Sequence, residues 1–156
     1  MQPPAHDLLQ PSLSAHSLRR APYSHQVCFF SSFFGGSAAA LGIAALNAHR
    51  TGRLTRDLAW LMPVLLAWLA WEWWWQSTAS GQQYDAWLLA QLGQGGPRYA
   101  ERALALLLFA LGTWVQRREH RAADLMGLDR PNGWIAGLLI IAAGNLLSWL
   151  MRGVLA

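Results

Sequence analysis

The feature that most constrains this chain is the stretch 27–48, which holds 22 consecutive positions without a charged side chain. Wound as one α-helix it rises about 33 Å, enough to cross a hydrocarbon core of about 30 Å. Further apolar runs cover 58–75, 99–115 and 134–150. Charged residues make up 13% of the chain and apolar residues 54%. A soluble domain carries about 25% charged residues, so this composition argues against a water-soluble globule and against disorder. The expectation is an all-α membrane protein of one domain, 27–156. Its four transmembrane helices span about 27–48, 58–75, 99–116 and 134–151, behind a disordered tail at 1–26.

The individual runs carry more detail. The tail holds Pro3, Pro4, Pro11 and Pro22, a composition that cannot bury a core. A cleaved signal peptide is the rival reading of 27–48. The 26 residues before it and the poor cleavage site at Leu46-Asn47-Ala48 argue for a retained helix. The second run contains Pro63 and ends in Trp71, Trp73, Trp74 and Trp75, which marks a membrane–water boundary. In the long loop 76–98, the segment 84–92 reads as a short helix. It either lies on the interface or packs over the loop end of the bundle. The third run is strictly apolar over only 103–115, which is short for a span.

The twelve arginines sit in small groups between the apolar runs, and the chain has no lysine. That distribution is the product of membrane topology rather than a nucleic-acid-binding surface. Counted over four spans, the side of the two short loops carries seven arginines and the other side five. The positive-inside rule then puts Arg50, Arg53, Arg56, Arg117, Arg118 and Arg121 in the cytoplasm, free to contact lipid headgroups, with both termini periplasmic.

The segment 23–65 contains Phe33, Phe34, Gly35, Gly36 and Ala38, then Asn47, then the turn Arg50, Gly52, Arg53. This resembles a group of small uncharacterised bacterial integral membrane proteins. Their first helix carries Phe-(Phe/Leu)-Gly-Gly-Pro-x-Ala, an Asn and a glycine-containing basic turn. Ser37 stands where that group has proline. The resemblance covers about a third of the chain and implies a multi-span protein of the bacterial inner membrane, with no activity attached.

Several constellations are candidates for function. Ser32, Gly36, Ala40 and Ala44 recur every four residues, and Gly133 and Gly137 repeat that spacing near the C-terminus. Small residues so spaced let helices approach closely. Packing within the chain is favoured over a dimer interface. Glu72 and Arg102 fall at the same outer end of neighbouring helices, and the expectation is a salt bridge rather than a substrate or proton site. Asn145 lies about 17 Å into the last helix, where it is expected to bond to another helix. Trp60, Trp68, Trp71 and Trp75 share a face of the second helix, and interfacial anchoring is favoured over a ligand pocket. Cys28 reads as a buried inert thiol. No metal-ligand spacing, P-loop, nucleophile elbow or dinucleotide fingerprint occurs, so no metal or cofactor is expected. The chain is therefore expected to be a non-enzymatic scaffold or accessory subunit acting by helix packing. Its partners would be the bilayer and either another membrane protein or a second copy, with no nucleic acid. The alternative is a small-solute or ion transporter or channel component. A lipid-directed enzyme would have to draw on Glu72, Asp85 and Glu101.

Overall fold

The computed structural model describes residues 20–155, and among these residues the chain is helical with no strand. Six α-helices follow in order: α1 (His25–Arg50), α2 (Leu54–Ser77), α3 (Ala79–Leu92), α4 (Gly96–Val115), α5 (Arg117–Leu125) and α6 (Trp134–Leu155). Two helices, His25–Arg50 and Trp134–Gly153, are long and apolar enough to cross a membrane. The expected four spans do not all meet that test. At 1.5 Å per residue α2 and α4 measure about 36 Å and 30 Å. Pro63 and Glu72 in α2, and Arg98, Glu101 and Arg102 in α4, dilute their apolar character.

α1 is not one straight rod. Gly36 has φ 74° and ψ −166°, which breaks the helix, and glycine reaches that region without the steric penalty a Cβ brings. The two arms, 25–35 and 37–50, fold back on each other. Asn47 Nδ2 lies 3.3 Å from Cys28 Sγ, and Asn47 Oδ1 accepts from the Tyr23 amide at 2.8 Å. Nineteen residues along an unbroken helix would separate Cys28 and Asn47 by about 28 Å. The expected single span over 27–48 is therefore a helical hairpin. Its arms are about 16 Å and 21 Å long, each shorter than a hydrocarbon core. The facing surfaces are small: Cys28, Ser31, Ser32 and Gly35 on one arm, Ala39, Ala40 and Ala44 on the other, all buried. Ser24 starts the first arm, its hydroxyl accepting from the Val27 amide at 3.3 Å.

The hairpin is the hub of the molecule. α4 and α6 pack on it from two sides, and α2 lies against both the hairpin and α6. A central cluster of Leu41, Ala44, Ala48, Leu61 and Trp68 is flanked by Trp60, Leu65, Leu104 and Leu108. Gly133 and Gly137 of the α6 approach carry no side chain to hold Tyr23, Val27 and Ser31 away, and a Cβ at Gly137 would stand 2.9 Å from Ser31 Oγ. At Gly144 the backbones are closer still, with the Gly35 carbonyl 2.6 Å from where a Cβ would be. The short helix expected at 84–92 is longer, α3, and it packs against α2 and α4. A tight corner leads into it. Thr78 Oγ1 donates to the Trp74 carbonyl at 2.6 Å and accepts from the Gly81 amide at 3.1 Å.

Beside this apolar cluster the fold buries polar groups and exposes large apolar ones. Asp57, Glu119, His120, Gln116 and Asn47 are all less than 5% exposed. Ile135, Leu138, Leu139 and Trp149 of α6, Leu107 of α4 and Leu66 of α2 are all at least 60% exposed. The hairpin also changes the disposition of the chain ends. Residues 20–23 sit beside Asn47, Arg50 and Gly133, at the end of the bundle that carries α5. Arg152 reaches Glu101 at the opposite end, beside α3. Among the described residues, 20–23 and Arg152 thus lie at opposite ends of the bundle, where the two ends of the chain were expected on one side. Residues 20–26, expected as part of a free tail, are docked, with Ala21 buried and its carbonyl accepting from Arg50 Nε at 3.0 Å. The remainder of that tail lies outside the described residues.

Candidate functional site

Breaking a helix frees backbone groups, and buried ones need partners. At the hairpin tip two come from elsewhere in the chain. Arg102 Nη1 donates to the Phe33 carbonyl. Asn145 Nδ2 donates to the Phe34 carbonyl at 3.3 Å and to its own Ile141 carbonyl at 3.0 Å. A cation and an amide thus cap the C-terminal end of the first arm, where the helix dipole leaves negative charge. On the other side of the break stands Glu101, next along α4. Its Oε1 would be 2.7 Å from a Cβ on Gly36. Gly36 is therefore needed twice, for its backbone angle and for room beside this carboxylate.

Beside the tip, which it meets through Glu101, lies a cleft of about 440 Å³. Its walls come from α2 (Glu72, Trp75, Gln76), α3 (Gln82, Asp85), α4 (Pro97, Arg98, Glu101) and α6 (Arg152). Arg152 Nη2 pairs with Glu101 Oε2 at 3.1 Å. Glu72 accepts from Gln76 Nε2 at 2.9 Å, and Asp85 from Trp75 Nε1 at 3.1 Å. Behind this wall Trp71, Trp74, Trp75 and Tyr84 form an aromatic cluster with centroids 5.2–6.2 Å apart. The expected Glu72–Arg102 salt bridge is corrected: among the described ion pairs Arg102 has none, because its guanidinium is turned to the Phe33 carbonyl. The cation that enters the cleft near Glu72 is Arg152.

The opposite end, at the mouth of the hairpin, is closed by buried polar contacts. Gln116 Nε2 donates to the Ala44 carbonyl at 2.9 Å and to Asp57 Oδ2 at 3.3 Å. Glu119 of α5 accepts from Arg53 and, at 3.3 Å, from Arg56. The His120 ring stacks on His25 at 4.2 Å. Burial, and then the neighbouring His25, push the His120 pKa down to about 4. Arg50 lies over the Tyr23 ring at 4.7 Å, and Arg117 over Trp114 at 5.4 Å. The arginines expected to mark one membrane surface therefore gather at one end. Arg50, Arg53 and Arg56 also tie the hairpin and α2 to their neighbours there. Arg118 and Arg121 have no described ion-pair partner.

The small residues Ser32, Gly36, Ala40 and Ala44 are buried, as expected for intramolecular packing. They also pack the hairpin against its neighbours, Ala44 against Gly112 of α4 and Gly36 beside Glu101. Glu101 and Arg152 were not paired by sequence reasoning, since they lie 51 residues apart. The buried set Asn47, Asp57, Gln116, Glu119 and His120 was equally hidden. The available signal was the Gly35-Gly36 pair amid serines in an otherwise apolar run. Comparison of the chain with family models, with curated proteins and with solved structures returns no match.

Proposed function

We propose that this chain is an integral membrane protein, crossing the bilayer with α2, α4 and α6 and entering it part-way with the α1 hairpin. Its role is to admit a small polar solute into the charged cleft, as a channel or carrier component. The observation that carries this reading is the broken backbone at Gly36 beside Glu101, a carboxylate that also lines a cleft with Glu72, Asp85, Arg98 and Arg152. Within a bilayer, irregular backbone is tolerated only where protein buries it or where it lines an aqueous cavity. Solute sites of carriers are built on such half-helix ends. The apolar exterior of α6, α4 and α2, set around buried charges, supports a lipid solvent.

Three crossings also sharpen the orientation. Among the described residues, Arg20, Arg50, Arg53, Arg56, Arg117, Arg118, Arg121 and Arg130 fall on the α5 side, eight of eleven. Arg98, Arg102 and Arg152 fall on the α3 side. The positive-inside rule then makes the α5 end cytoplasmic and opens the cleft to the outside. The scaffold reading ranks second. It rested on the lack of ionisable groups inside the apolar runs, and here Glu72, Glu101 and Arg152 meet around one cleft.

The test uses single cysteines in a Cys28→Ser background. Cysteines at Gln76 and Gln82 in the cleft should react from outside with a membrane-impermeant thiol reagent. Cysteines at Leu139 and Leu146 on the apolar face should not. Silent cleft positions beside reactive α6 positions would overturn the reading. Swelling assays on proteoliposomes with a panel of small polar solutes then measure passage.

A further inference from the structure

The charges in the cleft are not balanced among themselves. Glu101 and Arg152 satisfy each other. Glu72 and Asp85 accept only from neutral donors, Gln76 and Trp75. Among the described residues, Arg98 has no ionic partner. Two carboxylates on α2 and α3 and one guanidinium on α4 thus line one cavity without an ion pair of their own, and the Trp75 indole, which donates to Asp85, lines it with them. A lone cation would leave Arg98 unmatched, and a lone anion would face the two carboxylates. A solute carrying both an ammonium and an anionic group matches the set, the ammonium on Glu72, Asp85 and the indole face, the anion on Arg98.

We infer that the cleft binds a small zwitterion of the amino-acid type. The inference rests on the vestibule reading above and names the solute class. Free amino acids and the ethanolamine phosphate headgroup of a lipid share this chemistry, so the two sources need separate arms.

The experiment follows tryptophan fluorescence of the purified full chain in phosphatidylcholine nanodiscs, which lack a primary amine. L-alanine, ethylamine, propionate and O-phosphoethanolamine are titrated in turn. The expected result is saturable quenching by L-alanine, with at least tenfold weaker responses to ethylamine and propionate. Glu72→Gln and Arg98→Gln should each weaken the L-alanine response about tenfold. Asp85→Asn serves as a second acidic variant, and a thermal melt of each variant checks its fold. A response to O-phosphoethanolamine alone supports the zwitterion class and assigns the source to lipid. Equal responses to L-alanine and ethylamine overturn the inference in favour of a cation site, and equal responses to L-alanine and propionate in favour of an anion site. No response to any probe, with Gln76 and Gln82 cysteines still reactive, overturns the zwitterion assignment and leaves the vestibule standing. If those cysteines are silent too, both readings fail.

Discussion

Replacing Asn47 by cysteine tests the hairpin directly, because Cys28 is already in place as its partner. The Asn47 side-chain nitrogen is 3.3 Å from Cys28 Sγ, across nineteen residues of sequence. Folded back, two thiols at these positions meet. In an unbroken helix they would stand about 28 Å apart, and no disulfide forms when the Cα atoms are more than about 7 Å apart. Asn47→Cys also removes the acceptor for the Tyr23 amide, and leaving a buried donor unpaired costs about 1–3 kcal/mol. The reduced variant should therefore melt below the parent chain. Closing a loop of about twenty residues with a disulfide returns about 3 kcal/mol, so mild oxidation should restore the lost stability. The assay oxidises membranes with copper phenanthroline and then combines non-reducing electrophoresis with mass spectrometry of the monomer. An internal disulfide in monomeric protein, absent when Cys28 is changed to Ser, is the expected outcome. Free thiols throughout, or a cross-link found only in dimers, would refute the folded-back geometry and everything built on the tip.

Further outcomes follow from the same geometry. Gly36→Val forces a β-branched residue to φ 74° and a Cβ to 2.7 Å from Glu101 Oε1; it should cost about 1–3 kcal/mol in the melt from the backbone angle alone. Gly35→Ala should be at least as damaging, since its Cβ would meet the Ile141 Cα at 2.9 Å and backbone cannot swing aside. Arg102→Met strips the cap from the Phe33 carbonyl and should lower stability by about 1–3 kcal/mol, while Arg102→Lys recovers part of it; equal melts for both variants would show that the cap contributes nothing. His120, at about 4 in the fold against 6.5 when free, binds a proton more readily unfolded than folded. Stability should be full above about pH 6.5 and fall as pH drops toward 4, and His120→Leu should flatten that slope in a melt-versus-pH series.

The helical class and the positions of α2, α4 and α6 were legible in the sequence because they depend on local composition. Long apolar runs bounded by arginines and glycines leave few alternatives. The short segment at 84–92 was legible for the same reason, and its extension back to Ala79 depends on the Thr78 cap, which composition alone does not rank. The cleft was illegible because it depends on register between distant helices. Glu72 and Arg102 do lie at the same end of the bundle, as reasoned, but pairing is decided by which orphaned group each side chain can reach. Arg102 reaches the carbonyl freed at the hairpin tip, and Glu72 is left to Gln76.

The hairpin itself shows how one local decision redirects a global reading. Over 27–48 every residue favours burial, and hydropathy cannot tell a rod from two folded arms of the same composition. The discriminating residues are Gly35 and Gly36, which permit a reversal, and Asn47 and Cys28, which meet only if it happens. Treating the run as a crossing moves every later segment to the wrong side of its neighbours with respect to the tail. With the three crossings proposed above, Arg20 joins the richer side, and among the described residues the split is eight against three. The same step carries the functional reading, since a run that turns back part-way delivers broken helix ends to mid-bundle, and Arg102, Asn145 and Glu101 are spent there.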